Sequence, residues 1–165
     1  MTGRTDAYHV AAGTPDPEIP VLTIEDLGIL RGVDDRPDGG VVVRITPTYS
    51  GCPALREIAA DVQARLGRAG FAHVTVATAL SPPWTTDWIT AEGRRKLAAA
   101  GIAPPSAASR RAGPVPLTLG RPASPRCPRC GSTDTRLTAQ FGATACKSLH
   151  RCGACGEPFE AVKAI

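Results

Sequence analysis

The stretch Val41-Val-Val-Arg-Ile45-Thr-Pro-Thr-Tyr-Ser-Gly51-Cys52-Pro53-Ala-Leu55-Arg-Glu-Ile58-Ala59-Ala-Asp-Val62-Gln-Ala-Arg-Leu66 decides the fold of the first part of the chain. Val41, Val43 and Ile45 alternate with Val42, Arg44 and Thr46, the period of a strand. Apolar residues then recur at Leu55, Ile58, Ala59, Val62 and Leu66, the spacing of a helix face. The period changes at Gly51-Cys52-Pro53. Proline suits the first helical position, because the N–H it lacks would be unpaired there anyway. Cys52 is therefore expected at the N-cap, where the helix dipole and free amides favour a thiolate. That predicts a lowered pKa and raised nucleophilicity or metal affinity, with a buried inert thiol as the alternative.

Working outward, Pro37-Asp38-Gly39-Gly40 supplies a turn before the strand, and Leu27 to Val33 reads as its partner. Beyond the helix, Gly70 is a stop signal, and Val74, Val76 and Thr78 alternate as a third strand. Thr90 can cap a last helix, Ala91 to Ala100, with Gly101 just past its end. Three strands and two or three helices predict a small two-layer α+β sandwich over residues 7–103. Residues 104–125 hold six prolines among Ala, Ser, Gly and Arg. They show no helical period and few large apolar groups, as expected of an extended linker.

Residues 126–165 carry the strongest motif. Cys127-Pro-Arg-Cys130-Gly131 and Cys152-Gly-Ala-Cys155-Gly156 lie 21 residues apart. Each CxxC sets two sulfurs on one tight turn, and the glycine after it lets the backbone fold back toward them. Two such knuckles predict a closed, four-coordinate Zn²⁺ site, structural because no position is left for water. So short a tail with so few large apolar groups needs a metal to fold. A β mini-domain of the zinc-ribbon kind is expected there. The alternative, a pair of redox dithiols, would not need both glycines.

Composition bounds the function. The chain has 165 residues, net charge +4 and 4% aromatic residues. Residues 1–103 carry net −2, residues 104–126 net +4 and residues 127–165 net +2. The basic excess thus sits in the linker, and four thiolates on one Zn²⁺ would offset the tail's charge, so a nucleic-acid clamp is not expected. No apolar run approaches the roughly 20 residues of a membrane span, and no secretory signal is visible. A cytoplasmic address with reduced thiols follows as the expectation.

Weaker signals remain open. Asp16 and Glu18, in Thr14-Pro-Asp16-Pro-Glu18-Ile-Pro20, either face a site from a proline-stiffened extended stretch or cap an ordinary turn. Ser81-Pro-Pro-Trp84-Thr-Thr-Asp87-Trp88 holds both tryptophans; Trp84, Asp87 and Trp88 either wall a pocket or partner surface, or fill a small core. Cys146 is an auxiliary thiol between the knuckles: an alternate ligand, a redox thiol or hairpin packing. His9, His73 and His150 are scattered, and no phosphate loop, dinucleotide fingerprint or EF-hand loop is present. A catalytic residue is not assigned.

Three segments, Asp16–Ile29 (DPEIPVLTIEDLGI), Thr46–Pro53 (TPTYSGCP) and Ser81–Pro105 (SPPWTTDWITAEGRRKLAAAGIAPP), resemble the SufT-type metal-sulfur cluster assembly domain. Joined to CPRCGS, FGATACKSL and CGACGEPFEAVK, they resemble the PaaD family, also called PaaJ, of bacterial phenylacetate degradation. The resemblance implies a cluster-assembly domain followed by a zinc ribbon. It implies an accessory subunit of the multicomponent phenylacetyl-CoA 1,2-epoxidase, a component of a monooxygenase but not its catalytic subunit. Oxygenase and reductase subunits are the implied partners; a homodimer is left open by the sequence. By position, Cys52 matches the domain's characteristic cysteine, and Asp16 and Glu18 its acidic motif. The role implied is maturation of a partner's iron–sulfur or di-iron centre through iron or a cluster held transiently. A scaffolding subunit without metal transfer, or a thiol–disulfide enzyme using Cys52 and Cys146, are the alternatives.

Overall fold

In a computed structural model, residues 4–49, 51–105 and 124–164 are described. The elements in order are α1 (Arg4–Ala12), β1 (Leu30–Asp35), β2 (Val41–Ile45), α2 (Ala54–Arg68), β3 (Val74–Thr78), a 3-10 turn at Thr86–Trp88, α3 (Ala91–Ala99), β4 (Ile102–Ala103), β5 (Thr135–Ala139), β6 (Lys147–Cys152) and β7 (Pro158–Val162). Two compact units result, Met1–Lys96 and Leu97–Ile165. β4, at the end of the expected first domain, pairs with β7 of the second unit. The expected linker, apart from its ends, lies outside the described residues. Among the described residues no helix is long and apolar enough to cross a membrane.

In the first unit the strands run in the order β1-β2-β3. β1 and β2 are antiparallel, Val33 opposite Val43, as a short turn dictates. β2 and β3 are parallel, Val43 opposite Val76, so α2 forms the crossover between them. The alternation in β2 buries Val41, Val43 and Ile45, while Arg44 faces water. Helix α2 buries Ala54, Ile58, Val62 and Leu66, a strict four-residue stripe. Each of its large aliphatics is worth roughly 1.5–3 kcal/mol when removed from water. α1 packs on β1, β2 and α2, completing the second layer.

Both predicted ends of α2 have physical counterparts. Pro53 is the N-cap rather than the first helical residue, with helical backbone angles of its own. Gly70, at φ +95°, takes the left-handed turn just after Ala69. Thr90 caps α3 as expected, its Oγ1 accepting the Gly93 N–H at 2.9 Å. Helix α1 has no sequence signal, since its apolar residues are mostly alanines without a marked stripe.

The second unit is a sheet in the order β4-β7-β6-β5. β5, β6 and β7 form an antiparallel meander, and β4 adds in parallel to β7. Its small core unites Ala103, Cys127, Cys152, Phe159 and Ala161. Two cysteines in a core of five explain why the fold and the sulfur site cannot be separated. The chain is thus a mixed α/β unit followed by a small β-sheet unit.

Candidate functional site

The two knuckles of the ribbon are built alike. Gly131 N–H donates to the Cys127 carbonyl at 2.8 Å, and Gly156 N–H to the Cys152 carbonyl at 3.1 Å. Cys127 N–H donates to the Ser132 carbonyl, and Cys152 N–H to that of Glu157, closing each turn. Gly131 and Gly156 sit at φ +74° and +76°, a conformation in which a Cβ is strained. Gly153 N–H donates to the Asp134 carbonyl at 2.7 Å, tying the second knuckle to the first.

The result is four sulfurs, of Cys127, Cys130, Cys152 and Cys155, all within 4.8 Å of one another. Across the knuckles, Cys127 Sγ lies 3.8 Å from Cys155 Sγ, and Cys130 Sγ 3.6 Å from Cys152 Sγ. A tetrahedral ion with metal–sulfur bonds of about 2.3 Å has sulfur–sulfur edges of about 3.8 Å. The donor set therefore fits a metal ion. Protons alone serve the cluster poorly. The Ser132 amide pulls Cys130 down, yet the sulfurs of Cys155 and Cys152 push its thiol up to about 12. Cys152, which accepts the Cys155 amide at 3.5 Å, is lowered to about 7. One thiolate is favoured and the next is resisted, which is the electrostatic demand that a cation answers. Cys127 and Cys152 are buried, Cys130 and Cys155 exposed.

Cys146 does not join this group. It precedes β6, with Sγ 3.1 Å from Thr144 Oγ1 and its carbonyl accepting the Lys163 N–H at 3.0 Å.

In the first unit Cys52 stands one residue ahead of the α2 N-cap, half-buried. The expected fall in its pKa is overturned. Burial, the largest influence, pushes the thiol up; the Ala54 and Leu55 amides pull it down, but the Glu18 and Asp16 carboxylates push it up again, and the net shift is upward. The helix amides act in the expected direction. Two carboxylates and loss of water outweigh them. Cys52 therefore lies within the electrostatic reach of both Asp16 and Glu18.

Asp16 is buried, and its Oδ1 accepts the Glu18 N–H at 2.9 Å and the Ile19 N–H at 2.7 Å. It caps a turn, and the segment is not extended past Pro15, which bridges to Thr23. Asp16 thus holds Glu18 in place while its own charge also reaches Cys52.

The tryptophan loop divides its two rings. Trp84 is buried, and its Nε1 donates to the Leu27 carbonyl at 2.8 Å, so it is core. Trp88 is half-exposed with the Arg31 guanidinium 3.6 Å over its ring. Gly28, at φ +68°, lets its segment lie against the Trp88 backbone, since a Cβ there would meet the Trp88 carbonyl oxygen at 2.5 Å. Asp87 lies exposed on the same turn. Spacing gives no sign of one ion pair. Asp26 Oδ2 meets Lys96 Nζ at 2.7 Å and accepts the Thr23 N–H at 3.0 Å. Burial raises the Asp26 carboxyl, but Lys96 and Thr23 outweigh it and hold it below the usual range.

Compared with known proteins, the chain is 46% identical over 160 residues to an Escherichia coli (strain K12) protein provisionally named as a subunit of 1,2-phenylacetyl-CoA epoxidase, covering 97% of this chain and 92% of that one. The chain belongs to the PaaD family. Within this PaaD-family chain, residues 12–78 match the family described as iron-sulfur cluster assembly protein, and residues 111–163 that described as PaaD zinc beta ribbon domain. It is also 36% identical over 83 residues to an Fe-S protein maturation auxiliary factor of Porphyromonas gingivalis, covering 50% of this chain and 78% of that protein. A crystal structure of a DUF59 domain from Bacillus anthracis shares the fold, with TM-score 0.53 and 24% identity, covering 57% of this chain and 90% of that one.

Proposed function

We propose that the protein is a maturation factor of the phenylacetyl-CoA 1,2-epoxidase system. In this reading it delivers iron or an iron–sulfur cluster to an oxygenase or reductase subunit in the cytoplasm. The observation that carries it is the position of Cys52 just ahead of the amino end of α2, half-buried and within the electrostatic reach of Glu18 and Asp16. One thiol and two carboxylates offer sulfur and oxygen donors but too few to saturate a metal, which suits a site that lets its cargo go. At neutral pH the thiol is protonated, so a cation that binds sulfur must displace that proton to solvent. The two carboxylates that raise the thiol's pKa are also the groups that attract the cation. Loading therefore releases one proton for each metal ion bound, and the carboxylates offset the ion's remaining positive charge.

The ribbon's four thiolates are proposed to hold a structural Zn²⁺, whose bound state supplies folding energy to a unit whose small buried cluster already includes Cys127 and Cys152. Its place in the function is to meet the client subunit.

The test is Cys52→Ala in cells that depend on the epoxidase. Epoxidase activity and iron content of the partner subunits should fall about tenfold or more, since losing even an outer-shell partner of a metal ligand costs about 10- to 100-fold. The zinc content of the variant chain should stay at one per chain. Unchanged partner iron would refute transfer. A scaffold without transfer is the second reading, favoured by the upward shift of the Cys52 thiol. In that case the variant would keep full epoxidase activity and still co-purify with the complex.

A further inference from the structure

The loop joining β5 to β6 is pinned from several sides. Gly142 N–H donates to the Lys147 carbonyl at 2.8 Å, and Ala143 N–H to Glu160 Oε1 at 3.1 Å. Glu160 turns its other oxygen to Lys147 Nζ at 2.7 Å, and that lysine is buried. Lys163 Nζ donates to the Ala145 carbonyl at 2.8 Å and lies 3.9 Å from the centre of the Phe141 ring. A Cβ at Gly142 would meet Glu160 Oε1 at 2.7 Å, so a larger residue there would displace the carboxylate that supports the loop.

What this construction holds up is Phe141, 64% exposed, whereas Phe71 and Phe159 are buried. Drawing an ion pair out of water is costly, and here it serves a loop whose largest side chain faces solvent. An aromatic ring held in place before any partner arrives has the properties of a binding anchor, because little ordering is left to do.

The outer face of the hairpin extends the patch. Ser148, His150 and Cys152 are buried along β6, leaving Leu149 and Arg151 outward. Arg151 is directly opposite Arg136, and Leu149 opposite Ala139, two residues before Phe141. Like charges placed opposite one another repel, and among the described residues neither arginine has a carboxylate partner. Glu160, the acid of this face, is engaged by Lys147 and Ala143. Aromatic and arginine side chains around an apolar centre are the composition of protein-binding surfaces.

We propose that Phe141 and Leu149, flanked by Arg136 and Arg151, form the surface on which this chain docks a partner protein that offers an apolar pocket rimmed by carboxylates. The proposal rests on the client-docking role given to the ribbon above. The probes are the separately purified subunits of the epoxidase, titrated with the full-length, metal-loaded chain. Binding to one subunit should weaken with rising salt. Phe141→Ala and Arg136→Glu should each weaken it about tenfold or more, with metal content unchanged. Among the described residues Arg136 makes no ion pair that its loss would break, so its variant separates docking from folding. Wild-type affinity in both variants would overturn the docking surface alone. Failure of the wild-type chain to bind any subunit would overturn the docking role as well. Cys52→Ala that binds normally yet fails to raise partner iron would support the surface while leaving transfer to Cys52.

Discussion

Sulfur is placed in the ribbon by turns only four or five residues long, whereas at Cys52 it is placed by two segments more than 30 residues apart. The ribbon brings four thiols within tetrahedral reach of one another. Cys52 offers one thiol within the electrostatic reach of two carboxylates and keeps its proton. A complete set of soft ligands holds an ion permanently, and an incomplete, mixed set holds it briefly. The same element thus suits a structural role in one unit and exchange in the other.

The comparison is broken most severely by removing a ribbon thiol. Cys127→Ser should abolish metal binding and unfold the ribbon, since such ions supply on the order of 10–16 kcal/mol to small modules. Metal analysis and amide hydrogen exchange would register the loss. The first unit should stay folded, and because Trp84 and Trp88 both belong to it, tryptophan fluorescence reports on it separately. Collapse of both signals together would show that the two units do not stand independently.

A smaller effect is expected within the first unit, which relies on ordinary contacts. Asp26→Asn removes the charged partner of Lys96 and should cost about 2 kcal/mol in a urea titration read by that fluorescence. The pH dependence has a definite sign. Asp26 is held below the usual carboxylate range, so its stabilisation is complete above the unfolded value of about 3.9 and fades as pH falls through the lower folded value. The variant should lack this component of acid destabilisation. The smallest effect sharpens the view of Cys52. Glu18→Gln removes a negative charge beside the thiol, so its pKa should fall and alkylation at pH 7 should quicken, by less than about tenfold because burial and Asp16 still act. Slower alkylation would mean that Glu18 shields the sulfur sterically instead.

Much of the first unit is legible in its residues. β2, α2, β3 and α3 are written in periods and terminal residues, Gly70 and Thr90 among them, because burial of one face imposes that pattern locally. The partner strand begins at Leu30, three residues after the apolar pattern starts at Leu27. The apolar residues Leu27 and Ile29 are buried in the loop before β1, and burial alone does not mark a strand. β4 is invisible to pattern, for two residues carry no period, and it takes its partner β7 from the end of the second unit.

From the residues alone came the ribbon and its four candidate ligands, because a CxxC turn with a following glycine encodes its geometry within a handful of bonds. Only the tertiary structure decided that Trp84 is core while Trp88 meets Arg31, that Asp26 pairs with Lys96, and that Cys52 is a reluctant acid. Each of these depends on groups set apart in the chain and on how much water lies between them. Solvent exclusion and electrostatics act through space, and no spacing along the backbone records them.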